Sequence, residues 1–337
     1  MSAATGAGSG PEPLAAPGAG PAGTAADGAA ASPLSRMRVG VGLLVGIIAV
    51  LVILLDGLLG RWEAFRASAP GTGILLALLS AAAVREFCDM LRRAGIESHA
   101  GYAATASFSI LALRSLLPAL GMRPGDAAAF AEAALLLALL LPAAARVGFR
   151  AKDGAPADGE AAAAPALRPL AGTALALLAV HLPLSFLLEL RLVPWVPGMS
   201  AAVPAGLVLA SLTVIGCKAG DSAAYFAGRT LGKRPLCWVS PKKTWEGAVA
   251  GALAGTAAAA LPGALFFGLS AANGLAFGLV VNLAGQGGDL LESWLKRCCG
   301  VKDSGRTFGE MGGALDLVDA LLLAGPAGYL FHRVVLA

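Results

Sequence analysis

Charge is what this sequence has least of. Only 14% of its 337 residues are charged while 57% are hydrophobic, and an average soluble domain carries about 25% charged residues. A water-soluble fold of this size would lack polar surface. Histidine is nearly absent: His99, His181 and His332 stand far apart and form no metal-binding or nucleophile-activating constellation. The five cysteines, Cys88, Cys217, Cys237, Cys298 and Cys299, are odd in number and show no C-x-x-C spacing, which argues against a zinc site or a disulfide framework. The formal net charge is a modest +4, and no run of consecutive basic residues forms a nucleic-acid footprint, so no nucleic-acid partner is expected.

Long apolar runs are what the chain has instead. Blocks of about twenty residues recur at roughly 39–60, 71–90, 101–120, 127–146, 169–190, 200–219, 247–269, 272–291 and 314–334. Runs of that length cross the hydrocarbon core as helices, because lipid offers backbone groups no hydrogen-bond partner. The expectation is an all-α, polytopic integral membrane protein with about nine transmembrane helices. Residues 1–35 are almost wholly Ala, Gly, Pro, Ser and Thr, a composition that cannot offset chain entropy by burial and reads as a disordered tail. Residues 36–199 then hold the N-terminal transmembrane helices and 200–337 a C-terminal transmembrane catalytic region. The stretch around 151–167, with Lys152, Asp153, Asp158 and Glu160 among alanines, reads as a flexible loop.

The Lys and Arg distribution tests this layout, because cytoplasmic loops hold an excess of both. With the N-terminus inside, one face receives eighteen such residues, from Arg36 and Arg38 through Lys242 and Lys243 to Lys302 and Arg306. The other receives five: Arg61, Arg66, Arg123, Arg191 and Arg333. The bias emerges only when nine spans alternate, and it places the C-terminus outside. This compact positive-inside pattern suits a bacterial inner membrane.

Eight of the 21 acidic residues fall between Asp221 and Asp319, several at or inside apolar blocks. A charge there costs about 2.5–3.5 kcal/mol on insertion scales and is seldom kept without a partner or a function. At the cytoplasmic end of the eighth block, Asp289, Glu292, Ser293 and Lys296 are spaced three, four and seven apart and share one helical face. Asp316 and Asp319, also three apart, open the last block behind Gly312-Gly313. Two helices can thus aim carboxylates at one point. Converging carboxylates repel unless a cation lies between them, and a hard divalent ion that bridges phosphate oxygens, magnesium above all, is the usual resident. Lys242, Lys243, Lys296, Arg297, Lys302 and Arg306 lie on the same face and supply counter-charge for polyphosphate. The combination suggests phosphoryl or nucleotidyl transfer to a lipid. Ser240-Pro241-Lys242-Lys243-Thr244-Trp245-Glu246-Gly247 opens the seventh block, where lysines and helix N–H groups could face one anion. A membrane-flanking Lys-Trp anchor explains that string equally well on composition alone.

These motifs resemble those of the phosphatidate cytidylyltransferases, or CDP-diacylglycerol synthases. Asp221-Ser-Ala-Ala-Tyr225-Phe-Ala-Gly228-Arg229 is similar to the family's Asp-x-x-Ala-Tyr-x-x-Gly-Arg, and Ser240 to Gly247 reproduces its Ser-Pro-Lys-Lys-Thr-Trp-Glu-Gly. Gly288-Asp289 through Ser293-Trp-Leu-Lys296-Arg297, Lys302-Asp303-Ser304-Gly305 and Gly312-Gly313-Ala-Leu-Asp316-Leu-Val-Asp319 track its signature in order and spacing. Two positions depart from it. Met311 stands where the family has histidine, and Leu317 where it has arginine.

The resemblance implies CTP and phosphatidate as substrates, CDP-diacylglycerol and pyrophosphate as products, and an active site on the cytoplasmic side. It implies magnesium held by Asp289, Asp316 and Asp319, with Ser293 close by. Asp221, Lys242, Lys243, Lys296, Lys302 and Asp303 would bind substrate, the lysines holding CTP or pyrophosphate. A second, monovalent cation and a homodimer are left open. The alternatives are an inactive or altered-substrate member, which the two departures would produce, a CTP-dependent lipid kinase, and a membrane transporter with acids on an ion path.

Overall fold

The computed structural model describes residues 51–52, 55–59, 68–152, 159–309 and 312–337. The tail expected over 1–35, most of the first apolar block, Glu310 and Met311 lie outside the described residues. From the second block on, each expected span falls on a helix. These are α1 (Pro70–Arg93), α2 (Ala100–Leu116, tightening to a 3₁₀ turn through Leu120), α3 (Pro124–Lys152), α4 (Gly159–Ala176), α5 (Leu182–Arg191), α6 (Ala205–Leu231), α7 (Trp245–Phe267), α8 (Ala271–Cys298) and α9 (Ala314–Phe331). A π-helical turn, Leu177–His181, joins α4 to α5 without a break, and another, His332–Leu336, extends α9. No strand occurs among the described residues, only an isolated antiparallel bridge between Pro235 and Thr244.

Five of these helical stretches are long and apolar enough to cross a membrane: Ala100–Leu120, Leu167–Arg191, Ala205–Leu231, Trp245–Phe267 and Ala314–Leu336. The protein is an all-α, polytopic integral membrane protein. Large apolar side chains that would be misplaced on a soluble surface, such as Leu140 on α3 and Leu253, Leu265 and Phe266 on α7, are exposed, as a helix bundle immersed in lipid requires. Of the loop expected around 151–167, residues 153–158 lie outside the described residues, and the rest is helical. Helix runs through Lys152 and resumes at Gly159, because alanine, which dominates the stretch, has the highest intrinsic helix propensity.

Local rules explain where the helices begin. α1 starts on Pro70, whose missing N–H costs nothing at that position, and the next two N–H groups, of Gly71 and Thr72, donate to the Asp56 carboxylate at 2.8 and 2.7 Å. α7 is capped by Thr244, whose Oγ1 accepts from the Gly247 N–H at 3.2 Å. Across the bundle, Arg114 of α2 holds Glu189 of α5 through two parallel bonds of 2.7 and 2.9 Å. Phe87 of α1, Leu188 of α5, Leu209 of α6, Phe277 of α8 and Leu315 of α9 all belong to one buried cluster, so the two halves of the chain share a core.

Small residues set how closely the C-terminal half packs. Lipid tails are as apolar as leucine, so helices in a bilayer gain by close backbone approach rather than by expelling water. Gly216 and Gly220 of α6 face Gly251 and Gly255 of α7, and the buried Asn282 of α8 enters between them, its Nδ2 donating to the Gly216 carbonyl at 3.1 Å. A Cβ at Gly220 or Gly255 would lie 2.1 or 1.9 Å from that nitrogen. Gln286, one turn along α8, donates to Asn282 Oδ1 at 2.9 Å and to the Ala248 carbonyl at 3.2 Å. Gly220→Val is therefore expected to destabilise the detergent-solubilised protein by about 1–3 kcal/mol, read as a lowered thermal midpoint. Gly101→Ala, with nothing within 4 Å of the added methyl, is expected to keep the midpoint or raise it slightly, because alanine favours the helix over glycine.

Candidate active site

The site is built where α8 meets α9 and where the turn before α7 folds against α6 and α8. Gly288 lets the first pair close up: a Cβ there would stand 2.4 Å from the Asp319 carbonyl oxygen. At that crossing Asp289 and Glu292 of α8 and Asp319 of α9 each offer a carboxylate oxygen, and the three oxygens lie within 4.8 Å of one another. Asp289 and Asp319 are half-buried and Glu292 is buried. Glu292 Oε1 has no hydrogen-bond partner among the described residues. Three hard oxygen donors brought this close form a set that fits a small divalent cation such as Mg²⁺.

Two ammonium groups hold this acidity in place. Lys243 Nζ lies 2.6 Å from Asp289 Oδ2. Lys296 Nζ lies 2.6 Å from Glu292 Oε2 and 2.8 Å from Asp316 Oδ1, bridging α8 to α9. With Lys296 14% and Glu292 1% exposed, solvent screens this bridge little. The remaining oxygen of Asp316 is also engaged: Oδ2 accepts from the Gly313 N–H at 2.7 Å and from Ser304 Oγ at 2.9 Å. Asp316 is thus placed one helical turn before Asp319, outside the trio, with both oxygens taken by protein donors. The convergence expected of Asp289 with Asp316 falls instead on Asp289 with Asp319 and Glu292.

The Ser240–Gly247 segment folds into a tight return. Leu236 N–H donates to the Lys243 carbonyl at 2.7 Å, Trp245 N–H to the Arg234 carbonyl at 3.0 Å, and Lys243 N–H to the Ser240 carbonyl at 3.0 Å. Glu246 Oε2 accepts from the Lys233 and Arg234 N–H groups at 3.1 and 3.3 Å. The return carries Lys242 and Lys243 to the wall of a cavity of about 540 Å³ that Asp221, Tyr225, Arg229, Gln286 and Asp289 also line. Asp221, from α6, faces this cavity with Lys218 Nζ 3.9 Å away. Three stretches distant in sequence therefore meet, as their motifs led one to expect. Ser293 is half-buried on α8 beside Glu292.

Lys302 and Asp303 are placed elsewhere. Both are exposed on a second cavity, of about 950 Å³, between α1 and the loop after α8, with Arg85, Arg93 and Arg306 also on its wall. Ser304, on the wall of this second cavity, donates to Asp316, which in turn accepts from Lys296. Sequence reasoning set Glu292 on the right helical face without assigning it a ligand role, although its spacing from Asp289 carried that signal. Gln286 and Arg85 gave no such signal.

The chain is 39% identical to phosphatidate cytidylyltransferase 5, chloroplastic, of Arabidopsis thaliana over 143 residues, 42% of this chain and 36% of that protein. It is 46% identical to a phosphatidate cytidylyltransferase of Brucella suis over 119 residues, 34% of this chain and 43% of that one. It is 40% identical to one of Aquifex aeolicus over 122 residues, 35% of this chain and 44% of that one. The chain thus spans between 36% and 44% of the length of these curated relatives. The model of the cytidylyltransferase family matches residues 36–335, a range that takes in α1 to α9, the acidic trio and both lysine-bearing loops, and the chain belongs to that family.

Proposed function

We propose that this protein transfers a cytidylyl group from CTP to phosphatidate, giving CDP-diacylglycerol and pyrophosphate, on the cytoplasmic side of a bacterial inner membrane. The observation that carries the reading is the trio of Asp289, Glu292 and Asp319 oxygens within 4.8 Å beside a lysine-lined cavity, in a bundle that keeps a lipid substrate at hand. The relatives named as phosphatidate cytidylyltransferases support it.

In this reading Asp289, Glu292 and Asp319 hold Mg²⁺, which supplies Lewis-acid neutralisation of the triphosphate charge. Asp316, first expected as a direct ligand, is assigned to hold Lys296. The cavity at Asp221, Lys242 and Lys243 receives CTP: the lysines and Arg229 meet phosphate oxygens, and Tyr225 offers an aromatic wall. Ser293 adds a hydroxyl from the same face of α8. The second cavity, with Arg85, Arg93, Lys302 and Arg306 on its wall, receives the phosphate of the acceptor lipid, and Asp303 orients Lys302. An oxygen of that phosphate attacks the α-phosphorus, the bond to the β-phosphate oxygen breaks, and pyrophosphate departs in line. A phosphate monoester is already anionic near neutral pH, so no strong general base is required. Catalysis then rests on positioning and charge neutralisation, and neither Met311 nor Leu317 removes a carboxylate from the trio.

Membranes containing the full chain, given phosphatidate and CTP labelled at the α- or γ-phosphorus, are expected to move α-label alone into lipid. γ-label in lipid would show a kinase, and no label in lipid would leave a transporter or an inactive member. Asp289→Asn and Asp319→Asn are each expected to lower the rate by about 10²–10³-fold at equal expression, and wild-type rates in both would remove the metal assignment. Lys302→Ala is expected to raise KM for phosphatidate about tenfold with little change in KM for CTP; the reverse pattern would exchange the two cavities.

A further inference from the structure

Outside the trio two carboxylates are buried among the described residues: Asp56, which accepts from the start of α1, and Glu86, which lies on the wall of the second cavity and to which the proposed chemistry gives no role. Glu86, on α1, is 6% exposed. Its Oε2 accepts from the Leu315 N–H at 3.0 Å and lies 3.3 Å from Ser304 Oγ, and its Oε1 accepts from Thr307 Oγ1. These partners are 218 to 229 residues away in sequence, and all lie in the segment that carries Asp316. Two glycines make room for the carboxylate. A Cβ at Gly305 would stand 2.3 Å from Glu86 Oε1, and one at Gly313 2.2 Å from Glu86 Oε2.

The start of α9 explains why an acid from another helix is needed. The residue that would cap it is Gly313, which has no side chain to accept the N–H groups that the first helical turn leaves unpaired. Asp316 reaches back to the Gly313 N–H, and Glu86 takes the Leu315 N–H from outside. A carboxylate at that position also meets the positive end of the helix dipole. Ser304 has a single hydroxyl proton and stands between Asp316 Oδ2 at 2.9 Å and Glu86 Oε2 at 3.3 Å; the nearer Asp316 receives it. Asp316, in turn, holds Lys296 against Glu292.

We infer that Glu86 is a positioning residue of the active site: it pins the 304–315 segment to α1 and so fixes the Asp316–Lys296–Glu292 bridge beside the carboxylate trio. Although Glu86 lies on the wall of the second cavity, both of its oxygens are turned to the 304–315 segment. The inference rests on the proposed function for its kinetic arm but not for its structural one.

The test uses the full chain in detergent with lipid, comparing Glu86→Ala, Glu86→Gln and wild type. Glu86→Ala leaves the Leu315 N–H and Thr307 hydroxyl without their acceptor and is expected to lower kcat about tenfold or more while KM for CTP changes less than about twofold. Glu86→Gln keeps one carbonyl oxygen for Leu315 and is expected to recover most of the loss. Trypsin reads the same segment without any turnover, since Lys302 and Arg306 are exposed. Cleavage there should accelerate in Glu86→Ala and return to the wild-type rate in Glu86→Gln. Wild-type kcat in Glu86→Ala, or a kcat loss with unaltered cleavage at Lys302 and Arg306, would overturn the inference. Should Glu86→Ala fail to accumulate, Thr307→Val, which removes one donor only, is read by the same cleavage assay. An unaltered cleavage rate in Thr307→Val also counts against it. If wild type makes no labelled lipid, the functional reading fails, and accelerated cleavage in Glu86→Ala still upholds the positioning role.

Discussion

A single ammonium group between two helices is the contact on which the catalytic half depends. Lys296 Nζ sits 2.6 Å from Glu292 and 2.8 Å from Asp316, joining α8 to α9 where Asp289 and Asp319 also approach Glu292. In a chain with so few charges, a buried and a half-buried acid on facing helices would drive those helices apart. With the lysine between them, they draw together, and breaking such a pair by removing one partner leaves a buried charge uncompensated. The same bridge settles a division of labour among the acids. Asp316 is occupied by protein donors on both oxygens, whereas Glu292 meets Asp289 and Asp319 at a common point.

The remaining architecture serves to bring groups to that point. Close glycine packing seats α6, α7 and α8 around Asn282 and Gln286, so Asp221 and the lysines ahead of α7 reach the same cavity as Asp289. The polar links Asn282–Gly216 and Gln286–Ala248 register these helices against one another. An apolar contact alone would leave them free to slide in a bilayer. Thr244 and Glu246 then fix the lysine turn by capping α7 and clamping the 233–234 backbone.

Much of this was legible before any coordinates. Apolar blocks of bilayer length gave the helices from α1 to α9, because in lipid a long apolar run has few structures open to it. The three-residue spacing of Asp289 with Glu292 and of Asp316 with Asp319 gave the two acidic faces, because helical periodicity is local. What periodicity cannot give is the rotation of one helix against another. That rotation decides that Asp319, and not Asp316, joins Asp289, and it sends Lys302 and Asp303 to a different cavity from Lys243. Glu86 was invisible for a related reason: its partners lie more than two hundred residues away, and nothing in its own neighbourhood signals them. The alanine-rich stretch after 151 was read from its charges as a loop, whereas alanine's helix propensity prevails on both sides of residues 153–158.

The central claim is that Asp289, Glu292 and Asp319 together form a divalent-cation site. Mn²⁺ is a paramagnetic stand-in for Mg²⁺, and its binding to the purified full chain in detergent can be followed by electron paramagnetic resonance without any substrate. The account predicts bound Mn²⁺ that Mg²⁺ displaces and that the double variant Asp289→Asn, Asp319→Asn no longer holds. Equal Mn²⁺ binding by the wild type and that double variant would contradict it.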